Sequence, residues 1–335
     1  MIDLTIYLSL VLLFGIAAQF RAMDGYSFLR RTIYLLEQRI GILYAVALIT
    51  VLFSPFILND VVVLVLTPVL VSYAKRHNVD ITPLLVAEIT FTNIASSLTP
   101  LGNPQNILLW HASGISAREF VAGTWLPLAA SGALAAVGLL GFRKRFSGSD
   151  CMDGFKDSTI PAIYLCAVAV IVFSLDVIGI SNDITLGIAF VGGFLFTSGS
   201  LRRVLREFDC KSLLIVCFLV GSVTLVAAVL QPFLEPYVTP AAAGIQPYSA
   251  FFVLFVSNLV SNVPAVQLLL SVSHVPARVA PRIAVEAGLA GNFDPIASFA
   301  NILALVIAKR SGLSVRKAII LQLIIGAVSF LPAII

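Results

Sequence analysis

Charge is what this 335-residue chain has least of: Asp, Glu, Lys and Arg make up 11% of it, against about 25% in an average soluble domain. With 59% of residues hydrophobic and a mean hydropathy of +1.02, a water-soluble globular domain is excluded, and with it a water-soluble catalytic domain. Histidine is nearly absent, at three residues, and the four cysteines, Cys151, Cys166, Cys210 and Cys217, form no CxxC pair and have no histidine set beside them. That pattern argues against a metal centre, and the cysteines read as small apolar residues. No GxxxxGK[ST] loop is present, so nothing points to ATP hydrolysis within the chain, although a separate ATPase partner stays open. HExxH, DDxxD and GxGD are missing as well, which leaves an intramembrane enzyme without a motif. No organic cofactor is expected, and the isolated basic run Arg143-Lys144-Arg145 does not make a nucleic-acid partner.

What the chain has is long apolar segments, at roughly 4–20, 40–76, 82–112, 120–142, 159–180, 184–201, 211–230, 247–274, 282–308 and 314–335. Many approach the roughly 20 residues that cross a bilayer as a helix. The first lacks a basic region before it and reads as a membrane helix rather than a signal peptide. Two segments are interrupted by polar residues and proline: Ser54, Pro55, Asn59 and Asp60 in 40–76, and Ser257, Asn258, Ser261, Asn262 and Pro264 in 247–274. Each reads as a re-entrant hairpin, entering and leaving on one side. Lys and Arg collect on the cytoplasmic side of membrane proteins, and with two such hairpins eighteen of the twenty-one basic residues share one side, leaving only Arg118, Arg278 and Arg282 on the other. The expected topology has eight full crossings and both termini outside.

The fold class expected is therefore an all-α polytopic membrane protein built from an internal repeat. Asn59 and Asn262 lie 203 residues apart in similar settings, while Thr99-Pro100 and Asn106 match Asp294-Pro295 and Asn301 at an offset of 195. Residues 1–142 form the first repeat, 143–158 a polar cytoplasmic linker, and 159–335 the second repeat. The topology makes the two repeats inverted, each with a hairpin (about 40–76 and 247–274) and an unwound helix (about 82–112 and 282–308). Inverted repeats with broken helices are a mark of secondary transporters.

Four polar breaks fall at membrane depth: Asn59-Asp60, Leu98 to Asn106, Ser261 to Pro264, and Gly291 to Ser298. Non-helical backbone survives there only when buried in protein or lining a cavity, so the four breaks imply one shared polar centre. Pro104 and Pro264 fit the first turn of a helix, with Asn103 and Ser261 or Asn262 available as caps. Helix N-termini present free N–H donors to an oxyanion, while unwound carbonyls and Asn, Thr and Ser oxygens suit Na⁺. Asp60 and Asp294 each read as a cap, a Na⁺ ligand or a proton carrier. Glu88, inside a helix, reads as a hydrogen-bond partner of a neighbouring helix, and Trp110-His111 as an interfacial anchor.

The motifs LNDVVVLVLTPVL, SLTPLGNPQN, SNLVSNVPAVQLLL and GNFDPIASFAN resemble the ion transporter superfamily over essentially the whole chain. That group takes in arsenite permeases, sodium/proton antiporters, citrate transporters and divalent anion:sodium symporters, and the closest likeness is to its anion permeases of poorly defined substrate. Many relatives carry one or two further helices before the repeat. The resemblance implies an ion-coupled secondary transporter of a small anion or oxyanion, carboxylate or arsenite-like, with homodimers suggested by relatives; the lack of a long cytoplasmic extension or targeting segment favours a prokaryotic plasma (inner) membrane. The alternative is Na⁺/H⁺ antiport through Asp60 and Asp294, and a channel lined by the two hairpins is a lesser one. Substrate contacts are implied at Asn59, Asp60, Ser261, Asn262, Val263, Asn106 and Asn301. The coupling cation, Na⁺ or H⁺, is implied at Asn59, Asp60, Thr99, Pro100, Gly102, Asn103, Asn262, Asp294, Ala297 and Ser298. The symporter branch typically carries Ser-Asn-Thr at both tips, where this chain has Leu58-Asn59-Asp60 and Ser261-Asn262-Val263.

Overall fold

The computed structural model describes residues 4–142, 159–198 and 200–335. The linker at 143–158, with its basic triplet and Cys151, lies outside the described residues. Among those described there are sixteen α-helices and no strand: α1 (Leu4–Ala22), α2 (Gly25–Ile40), α3 (Ile42–Phe53), α4 (Asn59–His77), α5 (Thr82–Ser96), α6 (Pro104–Ser113), α7 (Ala117–Leu139), α8 (Ile160–Val177), α9 (Asn182–Gly193), α10 (Leu201–Glu207), α11 (Cys210–Ala242), α12 (Tyr248–Val260), α13 (Asn262–Val272), α14 (Ala280–Ala290), α15 (Phe299–Arg310) and α16 (Arg316–Ile334). Short 3₁₀ turns at Pro100–Gly102 and Pro295–Ala297 join α5 to α6 and α14 to α15. This is an all-α polytopic membrane protein.

Among the described residues three helices are long and apolar enough to cross a membrane unaided, Ala117–Phe142, Cys210–Ala242 and Arg316–Ile334, and a fourth span results if α1 and α2, bent by 67°, act as one. The rest of the described helical structure is in pieces that are shorter or more polar. Asn78 and Gly114 end α4 and α6 in the left-handed region, at φ 50° and 62°, a conformation open to Asn and Gly. Ser116 starts α7 with a reciprocal capping box to Glu119.

Two elements differ from the sequence reading. Residues 25–40, which fall between the apolar segments 4–20 and 40–76, form α2, which buries Gly25, Leu29 and Ile33 on one side. The segment ending near 230 continues as helix to Ala242 through Pro232, Pro236 and Pro240. Each proline removes one backbone donor, but a spacing of four confines the losses to one face and the helix survives.

Packing between the two halves is reciprocal. α4 packs on α15 and α13 on α6; α5 packs on α16 and α14 on α7; α7 packs on α16. Around this core lie α1, α8, α9 and α10, with α1 touching α8, α9 and α10. α11 covers α13.

Candidate functional site

The first polar break is held by its own side chains. Thr99 accepts a hydrogen bond from Leu101 N at 3.2 Å and donates to the Pro55 carbonyl, which ties the break to the turn between α3 and α4. Asn106 then folds back, its amide donating to the carbonyls of Ser96 at 2.9 Å and Thr99 at 2.7 Å. The unwound backbone would otherwise leave the first bare inside the protein and the second with only a 3.4 Å bond from Gly102 N. Gly102 is there because nothing larger fits: a Cβ would lie 2.2 Å from the Ser96 carbonyl oxygen and 2.7 Å from that of Ser54.

The second break repeats this construction with other residues. Asp294 accepts from Ile296 N at 2.8 Å, as Thr99 does from Leu101. The Asn301 amide donates to the carbonyls of Gly291 at 2.5 Å and Asp294 at 3.2 Å, and Ser261 donates to the Ala297 carbonyl at 3.3 Å. Asn103 and Ser298, both extended, begin the helices after each break.

The halves meet at α5. Its Asn93 donates to Asn301 Oδ1 at 2.9 Å and to Asn292 Oδ1 at 3.2 Å. A Cβ on Gly291 would sit 3.0 Å from the Asn93 amide nitrogen and 3.1 Å from that of Asn262, so both amides converge on bare backbone. Asn262 is 2% exposed, and neither its Nδ2 nor its Oδ1 has a partner in the protein. The Oδ1 atoms of Asn93 and Asn106 and both polar ends of Gln105 are likewise buried and unpartnered. A buried polar group left so costs about 1–3 kcal/mol, which marks this cluster as a place where a polar ligand gains most.

Asn59 and Asp60 open α4, and both are buried. The Asn59 carboxamide accepts from Asp60 N at 2.9 Å, and the Asp60 carboxylate lies within electrostatic range of Asp209 and Arg21. Among the described residues Arg21 is the only buried basic side chain, and its Nε and Nη2 are unpartnered. Val263 is half-buried in the first turn of α13, and Pro264 lies in the same turn.

Several sequence readings are corrected or sharpened. Asn103 and Ser261 sit at cap positions, yet neither side chain bonds to its helix. At Ser261 the reason is backbone: φ 81°, ψ 159° is a region almost reserved for glycine, and the hydroxyl is turned to Ala297. Trp110 is 1% exposed rather than an interfacial anchor, because α6 is short and its end packs on α1, where His111 Nε2 meets Thr5 Oγ1 at 2.6 Å. Glu88 behaves as read, accepting from Thr67 Oγ1 at 2.9 and 3.0 Å across α4 and α5. Asn93, Gln105 and Asn292 were not picked out as site residues, nor was the buried Glu286, which accepts from Ser249 at 2.7 Å and Gln246 at 2.5 Å. A polar residue on the buried side of a short apolar helix was the available signal for Asn93 and Glu286.

A family model described as citrate transporter matches residues 1–297. The chain belongs to the citrate transporter family. Over 277 residues, 81% of the chain and 70% of the relative, it is 28% identical to the inner membrane protein YbiR of Escherichia coli. An uncharacterized transporter of Methanocaldococcus jannaschii is 27% identical over 286 residues, covering 81% of the chain and 72% of the relative. A shorter stretch of 78 residues, 23% of the chain and 16% of the relative, is 40% identical to the silicon efflux transporter LSI3 of Oryza sativa subsp. japonica. The protein is thus a membrane transporter of the citrate and arsenite permease type, not an enzyme.

Proposed function

We propose that this transporter is an ion-coupled secondary carrier of a small oxyanion or its uncharged conjugate acid, arsenite-like rather than citrate-like, working by alternating access. The observation behind this is the Asn262 carboxamide, buried and unpartnered at both ends beside Gly291 and Asn93. Such a cluster offers donors and acceptors together, which matches a hydroxylated oxyacid that also has both. A di- or tricarboxylate presents mostly acceptors and several negative charges, and the buried basic residue, Arg21, sits in the last turn of α1 rather than in either break. The short match to a silicon efflux transporter is in keeping with this chemistry.

The reciprocal packing of the halves and the matching breaks support inverted repeats, and the one-sided distribution of Lys and Arg supports hairpin tips at Asn59 and Asn262 entering from opposite faces, with both termini outside. Coupling falls to the first half, where Asp60 supplies a buried carboxylate for Na⁺ or H⁺ and the carbonyls about Thr99 to Asn103 supply neutral ligands. Asp294 is the weaker candidate for proton exchange, since it performs the capping task that an uncharged threonine performs in the other half. Na⁺/H⁺ antiport therefore rests on Asp60 alone.

The test is thermal unfolding of the detergent-purified protein with arsenite, silicate, succinate and citrate, each in Na⁺ and in choline buffer. A ligand at about one hundred times its Kd stabilises the folded state by about 2.7 kcal/mol. Asn262→Ala removes no hydrogen bond within the protein, so it is expected to fold and to lose the response. Stabilisation by succinate or citrate instead of arsenite or silicate overturns the substrate class. A response to Na⁺ and pH with no oxyacid effect moves the assignment to antiport.

A further inference from the structure

A cavity of about 520 Å³ lies away from the breaks, between α2 and α4. Its size is that of a small-ligand site. One face of α2 supplies Tyr26, Arg30, Tyr34 and Glu37, at spacings of four, four and three, and one face of α4 supplies Pro68, Tyr73 and Arg76. The walls are amphipathic in an ordered way. Leu64, Val65 and Pro68 lie toward the N-terminal part of α4, while Arg76 lies in its last turn, so the apolar part of the lining and the basic part are separated along the helix.

We propose that this cavity binds one anionic phospholipid, with its phosphodiester between Arg30 and Arg76 and an acyl chain along Leu64, Val65 and Pro68. Two arginines and one glutamate leave the lining with one net positive charge, which matches a monoanionic phosphodiester. Arginine suits phosphate because its planar fork donates two parallel hydrogen bonds. Basic pockets between membrane helices are common sites for acidic headgroups, and tyrosines favour the level where headgroup meets hydrocarbon. Free inorganic phosphate shares the headgroup chemistry, but it makes no use of the apolar wall. Because α4 opens with Asn59 and Asp60, a lipid seated along its far half bears on that pair through the helix.

The test is native mass spectrometry of the detergent-purified protein after delipidation and addition of phosphatidylglycerol, phosphatidylcholine or inorganic phosphate. Wild type should retain one phosphatidylglycerol per chain with at least tenfold preference over phosphatidylcholine. The double variant R30Q/R76Q should lose that preference, while Lys75→Gln, an exposed neighbour outside the cavity, should keep it. Both variants alter exposed side chains, and their thermal midpoints without lipid check that they fold. Equal retention of the two lipids overturns the proposal, as does a double variant that behaves like wild type. Displacement of phosphatidylglycerol by millimolar phosphate would replace the lipid site with a free-anion site.

Discussion

The asparagine folded back over each break can be tested by Asn106→Leu, which keeps the side chain's shape and removes its hydrogen bonds. Two buried carbonyls lose the Asn106 donor: that of Ser96, at about 2 kcal/mol, and that of Thr99, which keeps a 3.4 Å bond from Gly102 N and loses only about 1 kcal/mol. One gain offsets part of this: the wild-type Oδ1 is itself buried and unpartnered, and its removal returns roughly 1 kcal/mol. The net expectation is a destabilisation of about 2 kcal/mol. Asn301→Leu should cost about 1–2 kcal/mol more, because the Asn301 Oδ1 accepts from Asn93 and that bond is lost too. Unfolding in mixed micelles with increasing SDS, followed by tryptophan fluorescence, gives the two differences against one wild-type reference. If Asn106→Leu lies within about 0.5 kcal/mol of wild type, or if Asn301→Leu proves the milder change, the reading of these residues as staples of the unwound backbone is wrong.

Two further substitutions probe the same centre. Ser261→Gly should raise stability by about 1 kcal/mol, since φ 81° is strained for serine and open to glycine; a destabilised variant in the same SDS titration would show that the Ser261 to Ala297 hydrogen bond outweighs the strain. Gly288→Ala should be severely destabilising, because its Cβ would lie 1.6 Å from Ser97 Oγ and 2.8 Å from Ser97 Cβ, and the double variant with Ser97→Gly should regain most of the loss; equal stability of single and double variants would refute the close approach of α5 and α14.

The positions of the breaks were legible because proline, asparagine and aspartate inside a long apolar run are costly to bury unless the helix is interrupted there. Thr99, Asn106, Asp294 and Asn301 stood out for that reason, and the offset of 195 residues that pairs them in sequence pairs their hydrogen bonds in space. Helix α2 was hidden by its arginines: Arg30, Arg31 and Arg39 suggested a loop, although Leu29, Ile33 and Leu36 have helical spacing. The far end of α11 was hidden by three prolines whose register with the helix is invisible until the helix is built. Asn93 illustrates a different limit. Its partners are 199 and 208 residues away, and nothing local says which of many apolar neighbours will turn out to be a polar break.

Differences between the halves are as informative as their likeness. At the offset that aligns the breaks, Asn93 stands opposite Gly288, and Gly102 opposite Ala297. Where α5 bears the side chain that crosses to the second break, α14 has none, and the space it leaves is filled by Ser97, the residue that ends α5. Bulk in one half is matched by its absence at the same place in the other, so α5 and α14 interlock instead of colliding. A perfectly symmetric repeat could not do this: two asparagines would compete for one space, and two glycines would leave a void with the Asn301 oxygen unpaired. The same reasoning applies at the tips, where the Asn59 carboxamide is engaged by the Asp60 backbone and the Asn262 carboxamide is left unpartnered. Polar groups are therefore left free at one tip while the backbone of both breaks stays closed, and under the proposed function that asymmetry singles out the Asn262 tip as the place that takes the ligand.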